Sequence, residues 1–273
     1  MVVGVAGVGA CATSGSSGSG GAAASGGPSR GRGYEVREAT EATDTDGLQV
    51  ALDHGFISQE AAQEAVMRHW PELSRCQQEA GSAVRFASGP VTLHFLIDPA
   101  GATTDVRVTD SRLGNFEVEQ CLVAAGRRVR FPRPQGNAEA GVDYSLEFKS
   151  TREAAVVDLP DGEMEPHRAS LVGKLAVDCG QLGADELAAT LYLAASGAVR
   201  SVGLASQSAL DPAAAGCVVT SLRKGSFPLA ALRGATLGRV TVALQSTELA
   251  ARAEEQRALS VRSHRGRRNL SSK

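Results

Sequence analysis

Aromatic side chains are scarce in this sequence: they make up 4% of its 273 residues, whereas hydrophobic residues make up 42%. Hydrophobic cores can form, but aliphatic side chains must fill them. The net charge is -2, so the chain has no overall positive field that would attract nucleic acid. No run reaches about 18 apolar residues, so no transmembrane helix is predicted. These absences argue against a basic nucleic-acid-binding protein and against a helix that spans a membrane.

The sequence also lacks the motifs that commonly carry catalysis or bind metal ions. Its five histidines are scattered, and none stands in HExxH or a similar ligand spacing. No GxSxG motif joins a strand to a helix, and no two cysteines form the CxxC pair of a zinc or redox site. Acidic residues crowd positions 35–46, where they are typical of a solvated linker. The sequence therefore predicts no catalytic residue, no metal ligand and no cofactor.

The first eleven residues look like an export signal. Residues 1–10 read MVVGVAGVGA, and the small residues before Cys11 resemble a bacterial lipobox, in which the cysteine is lipidated and becomes the mature N-terminus. Residues 12–50 form a Gly/Ser-rich and then acidic linker, which cannot bury a core. Such a linker fits a tether behind a lipid anchor. The Lys or Arg that usually opens a signal peptide is missing, so an uncleaved N-terminus is the alternative.

Residues 93–134 and 189–230 repeat one pattern at an offset of 96 positions without gaps. In both copies a glycine is followed by a cysteine 20 residues later, and the cysteine by a Phe-Pro pair 10 residues later. The matched positions are Gly101 and Gly197, Cys121 and Cys217, and Phe131-Pro132 and Phe227-Pro228. Agreement at these rare residue types is not expected by chance, so the chain contains a tandem repeat.

Each copy is predicted to fold in the order α-β-β-α-β, as an α+β module with a small antiparallel sheet. In the first copy, apolar residues recur at helical spacing over 57–76, with Ser58 as the cap and Pro71 as an interruption. Alternating residues then predict strands near 91–97 and 106–108, joined by a turn at 98–101. Asn115 caps a second helix, and an alternating strand ends the copy.

The second copy repeats this order more briefly, with Asp211 and Pro212 opening its second helix. The predicted organisation has six segments: a lipoprotein signal at 1–11, a disordered linker at 12–50, a first module at 51–150, a linker at 151–168, a divergent second module at 169–247 and a basic tail at 248–273.

Four of the five cysteines have equivalent places in the two modules. Cys76 and Cys179 end the first helices, while Cys121 and Cys217 lie inside the second ones. We predict disulfides Cys76–Cys121 and Cys179–Cys217, each closing a loop of roughly 40 residues and stabilising its module by up to about 4 kcal/mol. Export would supply the oxidising compartment and leave Cys11 free for lipidation. Four free buried thiols, or a zinc site shared by the modules, are the alternatives.

The first module resembles the AgmX/PglI C-terminal domain of myxobacterial motility proteins, which is similar in its order of elements to the TonB and TolA C-terminal domains. The resemblance covers residues 56–149 and rests on a helix ending in Cys76, the segments VTLHFLIDPAG, VRVTDS, VEQCLVAA and FPRP, and the last strand YSLEF. It implies a TonB-like fold and a binding or transmission role in the periplasm, without catalytic residues. The second module is connected to this family only through the internal repeat.

We therefore expect a non-enzymatic lipoprotein of the cell envelope, facing the periplasm or at the outer membrane, that binds an envelope protein as part of a motility or transport complex. A sheet edge is the expected docking surface, because an extended peptide can add a strand there. The candidates lie in the last strand of each module, at Tyr144, Leu146 and Phe148, and at Val240, Val242 and Leu244.

Two other functions are compatible with the sequence. One is a periplasmic enzyme with a pocket between the modules, and the other is a purely structural lipoprotein without a specific partner. The basic tail after position 248 could contact an anionic surface such as lipid headgroups weakly, or serve only as a solubilising segment.

Overall fold

The structure is a computed structural model that describes residues 54–79, 84–150, 155–229, 232, 237–255 and 257–258. The predicted signal, the first linker, Cys11 and most of the basic tail lie outside the described residues. The described residues belong to one compact unit. Within it, two modules follow each other along the chain.

The first module opens with two helices, α1 (Gln59–Arg68) and α2 (Trp70–Glu79). The Ser58 hydroxyl accepts a hydrogen bond from the backbone N–H of Ala61 at 3.3 Å and so caps α1. The helix stops at His69, and Pro71 lies in the first turn of α2, where its missing N–H leaves no hydrogen bond unmade. The predicted cap and the predicted interruption are both confirmed.

Three strands and a third helix complete this module. Strands β1 (Gly89–Ile97) and β2 (Thr103–Ser111) form a hairpin, α3 (Phe116–Gly126) follows, and β3 (Ala140–Phe148) returns to the sheet. The sheet is antiparallel in the order β2-β1-β3. Asn115 caps α3, as predicted, by accepting from the N–H of Val118 at 3.4 Å. Helices cover one face of the sheet, and the core includes Val66, Leu73, Leu93, Phe95, Ile97 and Leu122.

The second module has a four-stranded sheet. Its elements are β4 (Val156–Asp158), α4 (Glu165–Asp178), β5 (Glu186–Ala194), β6 (Val199–Ala205), α5 (Pro212–Arg223) and β7 (Leu237–Gln245). The strand order is β4-β7-β5-β6, with β4 parallel to β7 and the other pairs antiparallel. Asp211 accepts from the N–H of Ala214 at 2.7 Å, which confirms the predicted start of α5. From α4 onwards the order is again α-β-β-α-β, so the α+β class is confirmed.

The repeat is visible in the backbone of both modules. Gly101 and Gly197 have φ angles of 86° and 83°. Residues other than glycine rarely adopt this backbone conformation. The carbonyl of Gly101 accepts from the N–H of Phe131 at 3.0 Å, and that of Gly197 accepts from Phe227 at 2.8 Å. Each glycine thus packs its turn against the Phe-Pro corner of its own module. The identical spacing in the two copies of the repeat therefore reflects one repeated contact.

The structure moves two predicted boundaries. The segment 151–168 is not only a linker, because it contains β4, a 3-10 turn at Asp161–Met164 and the start of α4, and because Leu159 and Met164 are buried in the second core. The second module also continues past 247. A helical segment at 246–255 buries Leu249 and Ala253 in the same core, since residues four apart share one helix face.

Candidate functional site

Strand β3 forms an open edge of the first sheet. It pairs with β1 over all nine of its residues, from Gly89 opposite Phe148 to Ile97 opposite Ala140, without a register shift. No other described strand lies on its outer side. At about 3.3 Å per residue the edge is roughly 30 Å long. It has no proline and no bulge, two devices by which natural proteins often prevent edge strands from pairing.

The backbone groups that face this edge follow from the pairing of β1. The carbonyls of Pro90 and Leu96 accept hydrogen bonds from the β2 side, from the Arg112 N–H at 2.9 Å and the Thr104 hydroxyl at 3.1 Å. Neighbouring residues of an antiparallel strand point their backbone groups in opposite directions, so the odd-numbered residues of β1 bond to β3. Their partners on β3 are the even-numbered residues. The backbone groups directed outward therefore belong to Gly141, Asp143, Ser145 and Glu147.

The side chains of β3 alternate between the core and solvent. Leu146 and Phe148 are buried and Tyr144 is half-buried, whereas Asp143 and Glu147 are exposed. Partial burial raises the pKa of the Tyr144 hydroxyl. The three residues predicted from the sequence thus lie on the inner face beside the edge. A docked strand would bond to the backbone of the intervening residues and would meet Tyr144 through its own inward side chains.

The edge of β7, the second predicted surface, is largely occupied. Strand β4 pairs with its first three residues, Leu237–Arg239. Further along, the Arg168 guanidinium of α4 donates to the carbonyl of Ala243 at 2.9 Å and pairs with Glu248 at 2.7 Å. The side chains of the predicted residues are all core residues of the second module: Val240, Val242 and Leu244. A cleft of about 320 Å³ lies beside this edge, but the two predicted edges are not equivalent.

Two of the other edge strands, β2 and β6, face each other between the modules, and the fourth edge strand, β4, is only three residues long. The N–H of Ser206 donates to the carbonyl of Val108 at 2.8 Å, and the N–H of Leu204 donates to the Glu119 carboxyl at 2.7 Å. Within the described parts of the chain, β3 is therefore the long edge strand whose outer side has no strand partner.

The modules pack through the outer face of the second sheet. Thr190 donates to the carbonyl of Ser111 at 2.7 Å, and Ser201 donates to that of Gly114 at 2.5 Å. Tyr192 is fully buried, donates to the carbonyl of Ser88 at 3.1 Å and stacks at a tilt on Phe86, with 5.2 Å between ring centres. We call this contact of residues 86–88 and 108–119 with β5, β6 and residue 206 the module junction.

Asp158 and two arginines form a cluster at the rim between the modules. Asp158 of β4 accepts two hydrogen bonds from Arg239, at 2.6 and 3.0 Å, and pairs with Arg112 of the first module at 3.2 Å. The hydrogen bond from Arg239 is the main reason why the pKa of Asp158 lies below its usual value. Arg239 also donates to the carbonyl of Ser88 at 2.6 Å. The rim is thus charged, whereas the centre of the junction is apolar or neutral apart from the carboxyl of Glu119.

Each module contains one disulfide, with the pairing that the sequence predicts. Cys76 of α2 is bonded to Cys121 of α3, and Cys179 after α4 is bonded to Cys217 of α5. In both modules the bond joins the first helical segment to the helix between the second and third strands of the repeat. The structure therefore describes neither free thiols at these four positions nor a zinc site shared between them.

The space between the modules is where the pocket of the alternative enzyme function would lie. A cleft of about 100 Å³ lies there, lined by Asp105, Arg107 and Arg127 among others. Pockets that bind small molecules usually measure about 300–1,000 Å³. Among the residues that the structure describes, no group of three or more His, Cys, Asp and Glu is placed to hold a metal ion. None of the described helices is both long and apolar enough to cross a membrane.

No family model and no curated protein matches the chain. Among solved structures, it is similar to the NMR solution structure of the Helicobacter pylori TonB C-terminal domain, residues 179–285, at 18% identity. The match covers 36% of this chain and 97% of that domain, with a TM-score of 0.26. A likeness of this size carries no argument about function, and the fold assignment rests on the described elements themselves. The resemblance to the AgmX/PglI domain stays a prediction.

Proposed function

We propose that this protein is a non-enzymatic binding protein of the cell envelope, which docks an extended segment of a partner protein onto β3. The observation that carries the proposal is the open, regular nine-residue edge of that strand. A strand added there would find up to four outward N–H and four outward C=O groups, and each hydrogen bond formed contributes about 0.5–1.5 kcal/mol net. Backbone pairing of this kind needs no catalytic group.

The proposed compartment is the periplasmic side of the envelope. The two disulfides support it, because such bonds persist in oxidising compartments and are rare in the cytosol. The lipobox-like residues before Cys11 support a lipid anchor, with residues 12–50 as a tether long enough to let the folded part reach its partner. The resemblance of the first module to the AgmX/PglI domain supports a place in a motility or transport complex.

Ser145 offers a clean test of the docking strand. Its N–H faces the open edge, so Ser145→Pro removes one outward donor and leaves the hydrogen bonds to β1 intact, a position where an edge strand accepts proline. The side chain of Ser145 hydrogen-bonds to Thr92 at 2.8 Å. Ser145→Ala loses the same side-chain bond but keeps the N–H, and is therefore the matched control.

The experiment is capture of partners from detergent-solubilised envelope by the full chain and by these two variants. We expect the native chain and Ser145→Ala to retain one and the same partner, and Ser145→Pro to lose at least nine-tenths of it. Equal capture by both variants would show that the partner binds elsewhere. Failure of the native chain to retain any partner would favour the purely structural lipoprotein.

A further inference from the structure

Glu119 is a buried charge that the proposed docking role does not use. It lies on α3, it has 0% exposed surface, and it contacts both modules. One carboxyl oxygen accepts from the Ser111 hydroxyl at 2.6 Å, and the other accepts from the backbone N–H of Leu204 on β6 at 2.7 Å. A Cβ atom at Gly203 would overlap the carboxyl, so the two modules are in direct contact at this point.

No cation balances this carboxyl among the described residues. On its own helix the nearest charge that affects it is Glu117, which carries the same sign and is itself paired with Arg223 of α5 at 2.6 Å. From the second module β6 presents Gly203 and the Leu204 N–H, and its one charged residue, Arg200, is exposed.

The elements of the first module around Glu119 are likewise neutral where they touch it. They present the Ser111 hydroxyl and the backbone of Asn115. The charges of β2 and its end are Asp105 and Arg107, which pair with each other, the exposed Asp110, and Arg112, which pairs with Asp158. The carboxyl of Glu119 is therefore held by hydrogen bonds alone.

These hydrogen bonds can serve both protonation states. A hydroxyl both donates and accepts, so Ser111 can donate to the carboxylate or accept from the protonated carboxyl, while the second oxygen still accepts from Leu204. What differs between the states is the cost of burying a charge without a counter-ion. Burial raises the pKa of Glu119 to about 7, against the smaller opposing effects of the bonds from Ser111 and Leu204.

We propose that Glu119 is a pH-dependent latch at the module junction: the protonated carboxyl holds α3 against β6, and its ionisation weakens the docking of the two modules. In an undocked chain the carboxyl would be solvated and would have the ordinary glutamate pKa of 4.5. A group whose pKa is higher in the docked state stabilises that state fully below pH 4.5, and this stabilisation is lost as the pH rises through 7. The docking equilibrium should therefore shift roughly 50- to 100-fold between about pH 5 and pH 8, at tenfold for each unit of pKa difference.

Hydrogen exchange at Ser206 measures this equilibrium away from the carboxyl itself. Its N–H donates across the junction to Val108, so it exchanges when the modules part. The native chain and Glu119→Gln are compared at each pH from 5 to 8, which cancels the intrinsic pH dependence of exchange. We expect the ratio of native to variant rates to be about four at pH 5 and to rise roughly a further 50-fold by pH 8. The amide of Phe95, in the central strand of the first module, should show no such rise.

Two further variants keep the result interpretable. Glu117→Gln removes a carboxylate of the same helix together with its ion pair to Arg223, so opening should be faster at every pH. The midpoint of its pH profile should stay within about half a pH unit of the native one, on the acidic side. Ser111→Ala removes a hydrogen bond that lowers the pKa of Glu119, so its opening should move to higher pH, and this holds as a test even if Glu119→Gln does not fold. A flat rate ratio, an equal rise at Phe95, or a Ser111→Ala profile that does not move upward would overturn the latch.

Discussion

Removal of the Cys76–Cys121 disulfide should lower the stability of the first module by about 4 kcal/mol. The bond joins residues 45 positions apart, and the entropy lost by the unfolded chain when a loop of that length is closed corresponds to about 4 kcal/mol at 25 °C. Cys76 is also buried in the core at 1% exposure, so Cys76→Ala with Cys121→Ala leaves a small void that adds up to about 1 kcal/mol. This is a large share of the roughly 5–15 kcal/mol that stabilises a domain.

Trp70 makes this loss measurable in one module. It is the single tryptophan of the chain, and it packs half-buried against the first core. With a urea dependence of about 2 kcal/mol per molar, the fluorescence midpoint of the double variant should fall by roughly 2 M. The matched control is Cys179→Ala with Cys217→Ala, which opens a 38-residue connection in the other module and should shift the Trp70 midpoint less. A decrease of less than about 0.5 M in the urea midpoint of the variant without the Cys76–Cys121 disulfide would refute this reasoning.

Three other outcomes are expected. Gly197→Ala should lower the free energy of unfolding by about 2 kcal/mol or more, since φ is 83° and a Cβ atom would meet the backbone of Phe227. The control Gly216→Ala lies in open space on α5 and should raise the free energy of unfolding by about 0.5–1 kcal/mol. Equal effects of the two substitutions in urea unfolding would count against the repeated turn. Asp158→Asn should cost at most about 1 kcal/mol at pH 7 and less at pH 3, because a carboxyl whose pKa is lowered in the folded state loses its stabilising effect as the pH falls below the usual pKa of aspartate. A cost that is the same at both pH values would contradict the ion pair. Mass spectrometry of the protein from its native membrane should find acylated Cys11 at the N-terminus, and an intact Met1 would exclude the anchor.

Much of each module could be predicted because its signals are local. The turn glycines, the caps at Ser58, Asn115 and Asp211, and the cysteine spacing each depend on a few neighbouring residues. The pairing of the disulfides followed from the repeat, since equivalent residues of equivalent modules meet the same neighbours. These features needed no knowledge of contacts between distant segments.

The docking of the modules depends on such contacts and was not predicted. One signal was present: β5 reads ELAATLYLA, a nearly continuous apolar run, and such runs are typical of strands buried on both faces. Its second face packs on the first module through Thr190 and Tyr192. No local pattern marks Glu119 as buried, because its environment is formed by Leu204, 85 positions away. Strand β4 was not predicted for the same reason: its three residues form a strand only because they pair with β7, far along the chain.

The acidic residues of β3 bear on the chemistry of the partner. Asp143 is paired with His94 at 2.8 Å, and Glu147 is exposed further along the same edge. Opposite charges on paired strands stabilise a sheet by about 0.2–1 kcal/mol per pair. A docked segment with a Lys or Arg opposite Glu147 would therefore be favoured over one with an acidic residue there.

Hydrogen exchange along β3 tests the central claim most directly. In the free chain the outward amides of Asp143, Ser145 and Glu147 should exchange rapidly, and the amides of Tyr144 and Leu146, which are bonded to β1, should exchange slowly. When the captured partner is bound, the three outward amides should become protected while the other two stay as they were. Outward amides that are already protected in the free chain, or that remain unprotected in the complex, would contradict the docking of a partner strand at this edge.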